Sequence, residues 1–208
     1  FRNFTIRNNL IWDDPADDPQ DRPNDYTSMG IYLWGEAAVF DNFQVYNNVL
    51  KHIKQKVIIL YDVENTAVFN NTFYSENAGY FRSLSIWDEP GEGQTTNLQI
   101  AQNVIRGTVW DRSSGDWSQA RLEGDGNLFD PVGNVIVPGW FVDQATGDFH
   151  LTEQALLAID AAAALGEVPE DFDRIARGDH PDLGADEFRF PGDTDGDNQV
   201  NFLDLGVL

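Results

Sequence analysis

There is no cysteine in this chain, so disulfides, thiol catalysis and zinc–thiolate sites are excluded together. Positive charge is scarce. Thirteen Lys and Arg stand against 35 Asp and Glu, a formal net charge of −22. A field of that sign repels nucleic acid, anionic lipid and polyanionic glycans, which leaves cations, neutral glycans and other protein subunits as partners. Long apolar runs are missing too, and nothing approaches the ~18–20 apolar residues of a membrane-spanning helix. Short apolar stretches are abundant, however, at 41% of the chain, which argues for a folded core despite the charge. A length of 208 residues allows one sizeable core and a small appendage. The opening FRNFTIRNNLIW begins inside a strand-like pattern without a signal-peptide shape, and is read as a fragment or a processed chain.

Four stretches resemble one another: NFTIRNNLI (3–11), NFQVYNNVL (42–50), NTAVFNNTF (65–73) and NLQIAQNVI (97–105). In each, apolar residues alternate, an Asn-Asn or Gln-Asn pair follows, and apolar residues resume. Period-2 alternation predicts strands with one buried face, and the Asn pair suits a bend because Asn tolerates unusual dihedrals and bonds backbone. A second strand type lies between them: MGIYLWGE (29–36), KVIILYDVE (56–64) and SLSIWDEPG (83–91). Asn48 and Asn71 are 23 residues apart, about one turn of a parallel β-helix. The longer neighbouring intervals, 39 and 32 residues, fit loops inserted at 13–28 and 88–96, both rich in Pro, Gly and Asp. The fold expected is all-β, a right-handed parallel β-helix; a β-sandwich is the alternative. Stacked strands lie about 4.8 Å apart, so Asn9, Asn48, Asn71 and Asn103 are expected to form an internal amide ladder that satisfies buried backbone.

Aligning the second strand type puts Leu33, Leu60 and Ile86 on one face, inward, and Trp34, Tyr61 and Trp87 on the other. An outward aromatic ladder suits the apolar face of a sugar ring. The alternatives are that a loop or the C-terminal segment covers these rings, or that they make a subunit contact. Asp62 and Asp88 lie beside them and are the weak catalytic candidates for a glycoside hydrolase, which needs two carboxylates about 5–10 Å apart. A polysaccharide lyase would want a cationic cleft, and Lys51, Lys54 and Lys56 form the only basic cluster in the sequence.

Past residue 125 the repeat gives way to PGWFVD (138–143), GDFHL (147–151), AIDA (158–161) and DLGADE (182–187). These words resemble the closing segment of secreted right-handed parallel β-helix proteins of the choice-of-anchor type. That resemblance implies export and surface display, but no single reaction, because the fold hosts lyases, hydrolases, adhesins and assembly proteins. A short helix capped by Thr152 is expected over 152–165. His150 and His180 stand apart from any transition-metal spacing and are read as structural or exposed. The domain reading is 1–125 β-helix coils, 126–190 last coil and capping segment, and 191–208 a calcium loop.

The chain closes on GDTDGDNQVNFLDLGVL (192–208). Calcium takes six to eight oxygens, and a twelve-residue loop supplies them from positions 1, 3, 5, 7, 9 and 12. Counting from Asp193 gives Asp193, Asp195, Asp197, the Gln199 carbonyl, Asn201 and Asp204. Asp at the last position departs from the EF-hand Glu and is similar to the loop of dockerin modules, which implies a cohesin-like partner. One such repeat is present. Ca²⁺ is therefore the expected cofactor, at a secreted, extracellular or cell-surface location. The leading functional expectation is a structural or adhesive protein that self-associates end to end. The alternatives are a carbohydrate-active enzyme or a non-catalytic module for neutral glycans.

Overall fold

The computed structural model describes residues 1–12, 29–34, 40–51, 56–76, 82–88, 93–113, 122, 125–190 and 192–193. Three parallel sheets carry the first two thirds of the chain. The first contains β1 (Arg2–Arg7), β4 (Phe40–Tyr46), β8 (Ala67–Phe69) and β11 (Gln99–Ala101), with β7 (Val63–Glu64) also beside β4. The second contains β2 (Leu10–Trp12), β5 (Val49–Lys51), β9 (Thr72–Tyr74), β12 (Val104–Arg106) and β14 (Leu128–Asp130). The third contains β3 (Met29–Trp34), β6 (Lys56–Tyr61), β10 (Arg82–Trp87) and β13 (Thr108–Arg112). Chain order passes from the first sheet to the second to the third, then returns to the first one strand further along. Parallel neighbours cannot be joined by a tight hairpin, so this circuit takes the place of hairpins.

The corner between the first and second sheets is two residues long, and its chemistry is local. Its leading residue, Asn8, Asn47, Asn70 or Gln102, has φ of 55°, 52°, 48° or 58°. That left-handed conformation is one that Asn enters more readily than most side chains. The second residue, always Asn, turns inward. Register then aligns the alternating apolar positions into columns. Ile6, Val45, Val68 and Ile100 form one, and Ile11, Leu50, Phe73, Ile105 and Phe129 another. Leu33, Leu60 and Ile86 form a third, with Ile31, Ile58 and Leu84 beside it. These columns meet in one apolar cluster between the sheets. Each fully buried aliphatic or aromatic side chain there contributes about 1.5–3 kcal/mol.

The antiparallel pairing that a β-sandwich needs is confined, among the described residues, to the hairpin of β15 (Phe141–Asp143) and β16 (Asp148–Leu151) and to one Glu170–Ala176 bridge. A 3₁₀ turn, Pro138–Trp140, leads into that hairpin. Trp140, Phe141, Phe149, Leu151, Leu183, Ala185 and Phe188 then pack with Val49, Tyr74 and Val104 on the outer side of the second sheet.

Where a helix is expected over 152–165, the structure has successive turns instead. The Ala155, Ala158 and Ala161 N–H groups bond carbonyls three residues back, and Asp160 turns left-handed at φ 54°. Tertiary partners take the donors and acceptors that a helix would use. Ala162 N–H bonds the Pro181 carbonyl, Asp160 N–H the Asp182 carboxylate, and the Ala158 carbonyl accepts Leu183 N–H.

From about residue 170 to 188 the chain runs along the row of corners and ties successive circuits together. Asn8 donates to the carbonyls of Asp171 and Phe172, Asn47 to that of Glu170, and Asn70 to that of Asp182. Gly184 N–H reaches the Gln102 carbonyl and Ala185 N–H the Thr72 hydroxyl. Gly184 has φ +91°, and a Cβ there would lie 2.8 Å from Thr72 Oγ1 and 2.9 Å from Val104 Cγ2. Glycine is required twice over at this position. Arg177 anchors the strap: its guanidinium donates to Asn47 Oδ1, to the carbonyls of Asp182, Gly184 and Ala185, and to Glu187. No helix among the described residues is long and apolar enough to cross a membrane.

Candidate functional site

The inward Asn of each corner builds a continuous ladder. Asn9, Asn48, Asn71 and Asn103 each donate a side-chain N–H to the next amide oxygen, at 2.9, 2.9, 2.9 and 2.8 Å, the last acceptor being Asn127. The same oxygens also accept the backbone N–H of the preceding rung. Asn127 extends the row beyond the four repeats, and its signal is the Asn-Leu-Phe that opens β14. A second ladder runs six residues earlier. Asn42 donates to Asn3, Asn65 to Asp41 and Asn97 to Asn65, from the Asn that begins each repeat. All four of these Asn have positive φ, between 47° and 59°.

Both ladders stop at one end of the stack. Among the described residues Asn9 Oδ1 receives no donor and Asn3 Nδ2 finds no acceptor. Among the described residues, the strands there, β1, β2 and β3, each have a strand neighbour on one side only. Phe1, Phe4 (56% exposed), Leu10 and Tyr32 are open to solvent around them. At the far end Asn127 Nδ2 donates to the Leu122 and Ile100 carbonyls, and among the described residues the inner ladder ends there. Asp130, buried at the end of β14, accepts the N–H groups of Gly133, Asn134, Val135 and Ile136 at 2.8–3.0 Å. Burial alone would push its carboxyl up, but the four donors together hold it below the ordinary range.

Register places Trp34, Tyr61 and Trp87 side by side across β3, β6 and β10. Tyr61 is 1% exposed and Trp87 half-buried, so Tyr61 offers no open ring face. The Tyr61 and Trp87 rings are tilted 44° to each other. Trp87 then meets Trp110 edge-on at 5.2 Å, and Arg82 and Arg112 lie over the Trp110 ring at 3.9 and 4.3 Å. Among Tyr61, Trp87 and Trp110 the rings are tilted or edge-on to one another, and the Trp34 side chain lies outside the described part of the structure. Asp62 and Asp88 are both buried; Asp88 accepts Thr95 N–H at 2.7 Å, and a Cβ on Gly93 would touch the Asp62 side chain at 3.0 Å. Asp88 holds the loop after β10 through Thr95 N–H, and the Asp62 side chain packs closely against Gly93 of that loop. Lys51 is buried, with its ammonium on the Ala145 carbonyl and over the Trp12 ring.

The C-terminal part brings together residues that spacing did not connect. His150 on β16 points Nδ1 at Asp148 Oδ1 (2.6 Å) and Nε2 at Asp173 Oδ2 (2.5 Å). Asp186, 7% exposed, stands beside them and accepts Leu151 N–H at 2.7 Å. Partial burial disfavours the imidazolium, but the two aspartates outweigh it and push His150 up to about 9. Burial raises Asp186 to about 7 against the Leu151 donor and the His150 charge. The group lines a cleft of about 630 Å³ whose other walls include Val142, Ile175 and Phe188. His150, read from sequence as structural or exposed, is therefore exposed but clustered. Only Asp148, two residues back on the same strand face, carried a local signal. Asp173 and Asp186 reach it through the strap.

Of the calcium-loop positions, Asp193 lies within the described residues and is buried, its N–H bonding the Phe190 carbonyl. Asp195, Asp197, Gln199, Asn201 and Asp204, and the insertion 13–28, lie outside them. Comparison of the chain with family models, with curated proteins and with solved structures finds no match to any of them.

Proposed function

We propose that the chain is a right-handed parallel β-helix of a secreted or cell-surface protein, with a structural or adhesive role exercised by end-to-end association. The observation that carries this reading is the open end at β1, β2 and β3. There, three edge strands, two unfinished amide ladders and several exposed apolar side chains coincide. Unpaired parallel edges recruit further strands. Such an edge can be filled by further coils of the same chain ahead of Phe1 or by the opposite end of a second copy, and we take the second copy's end as the occupant. Each sheet has a parallel edge there, at β11, β14 or β13, pointing the way its counterpart at the open end points. Head-to-tail contact of this kind is heterologous and continues as a filament.

Calcium at 193–204 would order the C-terminal side of that junction, with Asp193, Asp195, Asp197, Asn201 and Asp204 as side-chain ligands and Gln199 through its carbonyl. The choice-of-anchor and dockerin resemblances support export and a protein partner. Glycan binding through the aromatic row is less favoured, since its middle ring is buried.

Sedimentation velocity tests this directly. Wild-type chain in millimolar Ca²⁺ is expected to form a ladder of oligomers that grows with concentration, and Phe4→Glu with Leu10→Glu is expected to hold it as a folded monomer. Association unchanged by those two charges would refute the end-to-end junction. Capture by a cohesin-like protein with no self-association would replace the partner.

A further inference from the structure

We propose that His150, Asp173 and Asp186 form a binding site for a divalent transition-metal ion of the zinc type, separate from the C-terminal calcium loop. Their ligand atoms lie within 4.8 Å of one another, on three different stretches of chain that the strap draws together. Two independent features point to a ligand there. First, the Asp186 carboxylate is 7% exposed, yet only one oxygen is used, by Leu151 N–H. No hydrogen bond reaches the other oxygen. That oxygen keeps contact with solvent on the cleft side, so it is available to face a cation there. Second, the group opens on a cleft of about 630 Å³, so an ion has a route in and space for water or a ligand in its remaining position.

The donor set selects the ion. Imidazole nitrogen is a poor ligand for Ca²⁺ or Mg²⁺ and a good one for Zn²⁺ and its first-row neighbours. Asp148 on Nδ1 fixes the tautomer that presents the Nε2 lone pair, the arrangement by which carboxylates orient metal-binding histidines. In the metal-free protein a proton bridges Nε2 and Asp173 at 2.5 Å. The ion takes that proton's place, and Asp173 withdraws to let Nε2 and its own oxygen both sit about 2.0–2.2 Å from the metal. One imidazole and two carboxylates leave a fourth tetrahedral position facing the cleft.

The test is a Co²⁺ titration of the full chain in millimolar Ca²⁺, followed by visible d–d absorption and then displacement by Zn²⁺. One equivalent of tetrahedral Co²⁺ is expected. Affinity should fall on the order of 100-fold or more in His150→Ala and in Asp173→Asn, and about 10-fold in Asp148→Asn. Asp173 is exposed, with 38% of its side chain accessible, so its variant keeps the fold and isolates ligand loss from unfolding. Asp195→Ala should leave the spectrum unchanged. Absence of a d–d band, a band insensitive to His150→Ala and Asp173→Asn, or a band abolished by Asp195→Ala would each overturn the assignment.

Discussion

Asn71 occupies the middle of the inner ladder, where every one of its amide groups is committed. It donates to Val45 and Phe69 carbonyls and to Asn103 Oδ1, and its oxygen accepts both donors of Asn48. Asn71→Ala orphans several buried groups, each costing about 1–3 kcal/mol, so chemical denaturation should show a loss of about 3–5 kcal/mol. Asn9→Ala, at the exposed end, should cost about 1 kcal/mol. Equal losses at the two positions would show that the ladder does not depend on burial. Asp130 gives a second residue-scale prediction. Its carboxyl is held low by four N–H donors, so its stabilisation is present above the unfolded pKa and is lost as pH falls through the lower, folded value. Asp130→Asn turns a double acceptor into a donor against Val135 or Ile136 N–H, and the melting curve of the variant should be lower at neutral pH and less sensitive to acid than that of wild type. The inner ladder was legible because Asn-Asn recurs beside alternating apolar residues. The outer ladder had the same signal, an Asn six residues earlier, which mattered only once left-handed backbone put those side chains in reach of one another.

At the scale of elements, the strap over 170–188 is what joins the corners into one unit. Arg177 is nearly enclosed and serves Asn47, three carbonyls and Glu187. Arg177→Ala leaves the buried Glu187 without its counter-charge, with only the Asp182 N–H still on it, a loss of about 3–5 kcal/mol. Hydrogen exchange should quicken first over 170–188 and only later in β6 and β10. Gly184→Ala, blocked by φ and by Thr72 and Val104, should release the same segment at about 2–4 kcal/mol. Asp182 adds a pH dependence of opposite sign to Asp130. Burial raises it to about 6 despite the Phe188 and Asp160 N–H donors. The folded chain therefore keeps a proton that the unfolded chain releases, and stability falls as pH climbs from about 4 to about 6. Strap protection, corrected for intrinsic exchange, should be greater at pH 5 than at pH 7. Strands were readable from period-2 alternation, whereas the turns over 152–165 were not. An Ala-rich stretch reads as helix by propensity, and only the distant Pro181, Asp182 and Leu183 decide otherwise. The His150 cluster is hidden for the same reason, since Asp173 is 23 residues away.

The whole molecule is a stack with unlike ends. One end finishes its inner ladder on Asn127 and folds a loop under Asp130; the other leaves amide groups, strand edges and Phe4 and Leu10 open. A net charge of −22 opposes contact between copies, and bound Ca²⁺ would reduce that repulsion locally as well as order the loop. Small-angle scattering across a concentration series, in millimolar Ca²⁺ and then in excess EGTA, measures this most directly. Rods of constant cross-section, their length growing with concentration in Ca²⁺ and shortening in EGTA, are the expected result. A particle of one chain's mass and unchanged shape at every concentration in both conditions would contradict it.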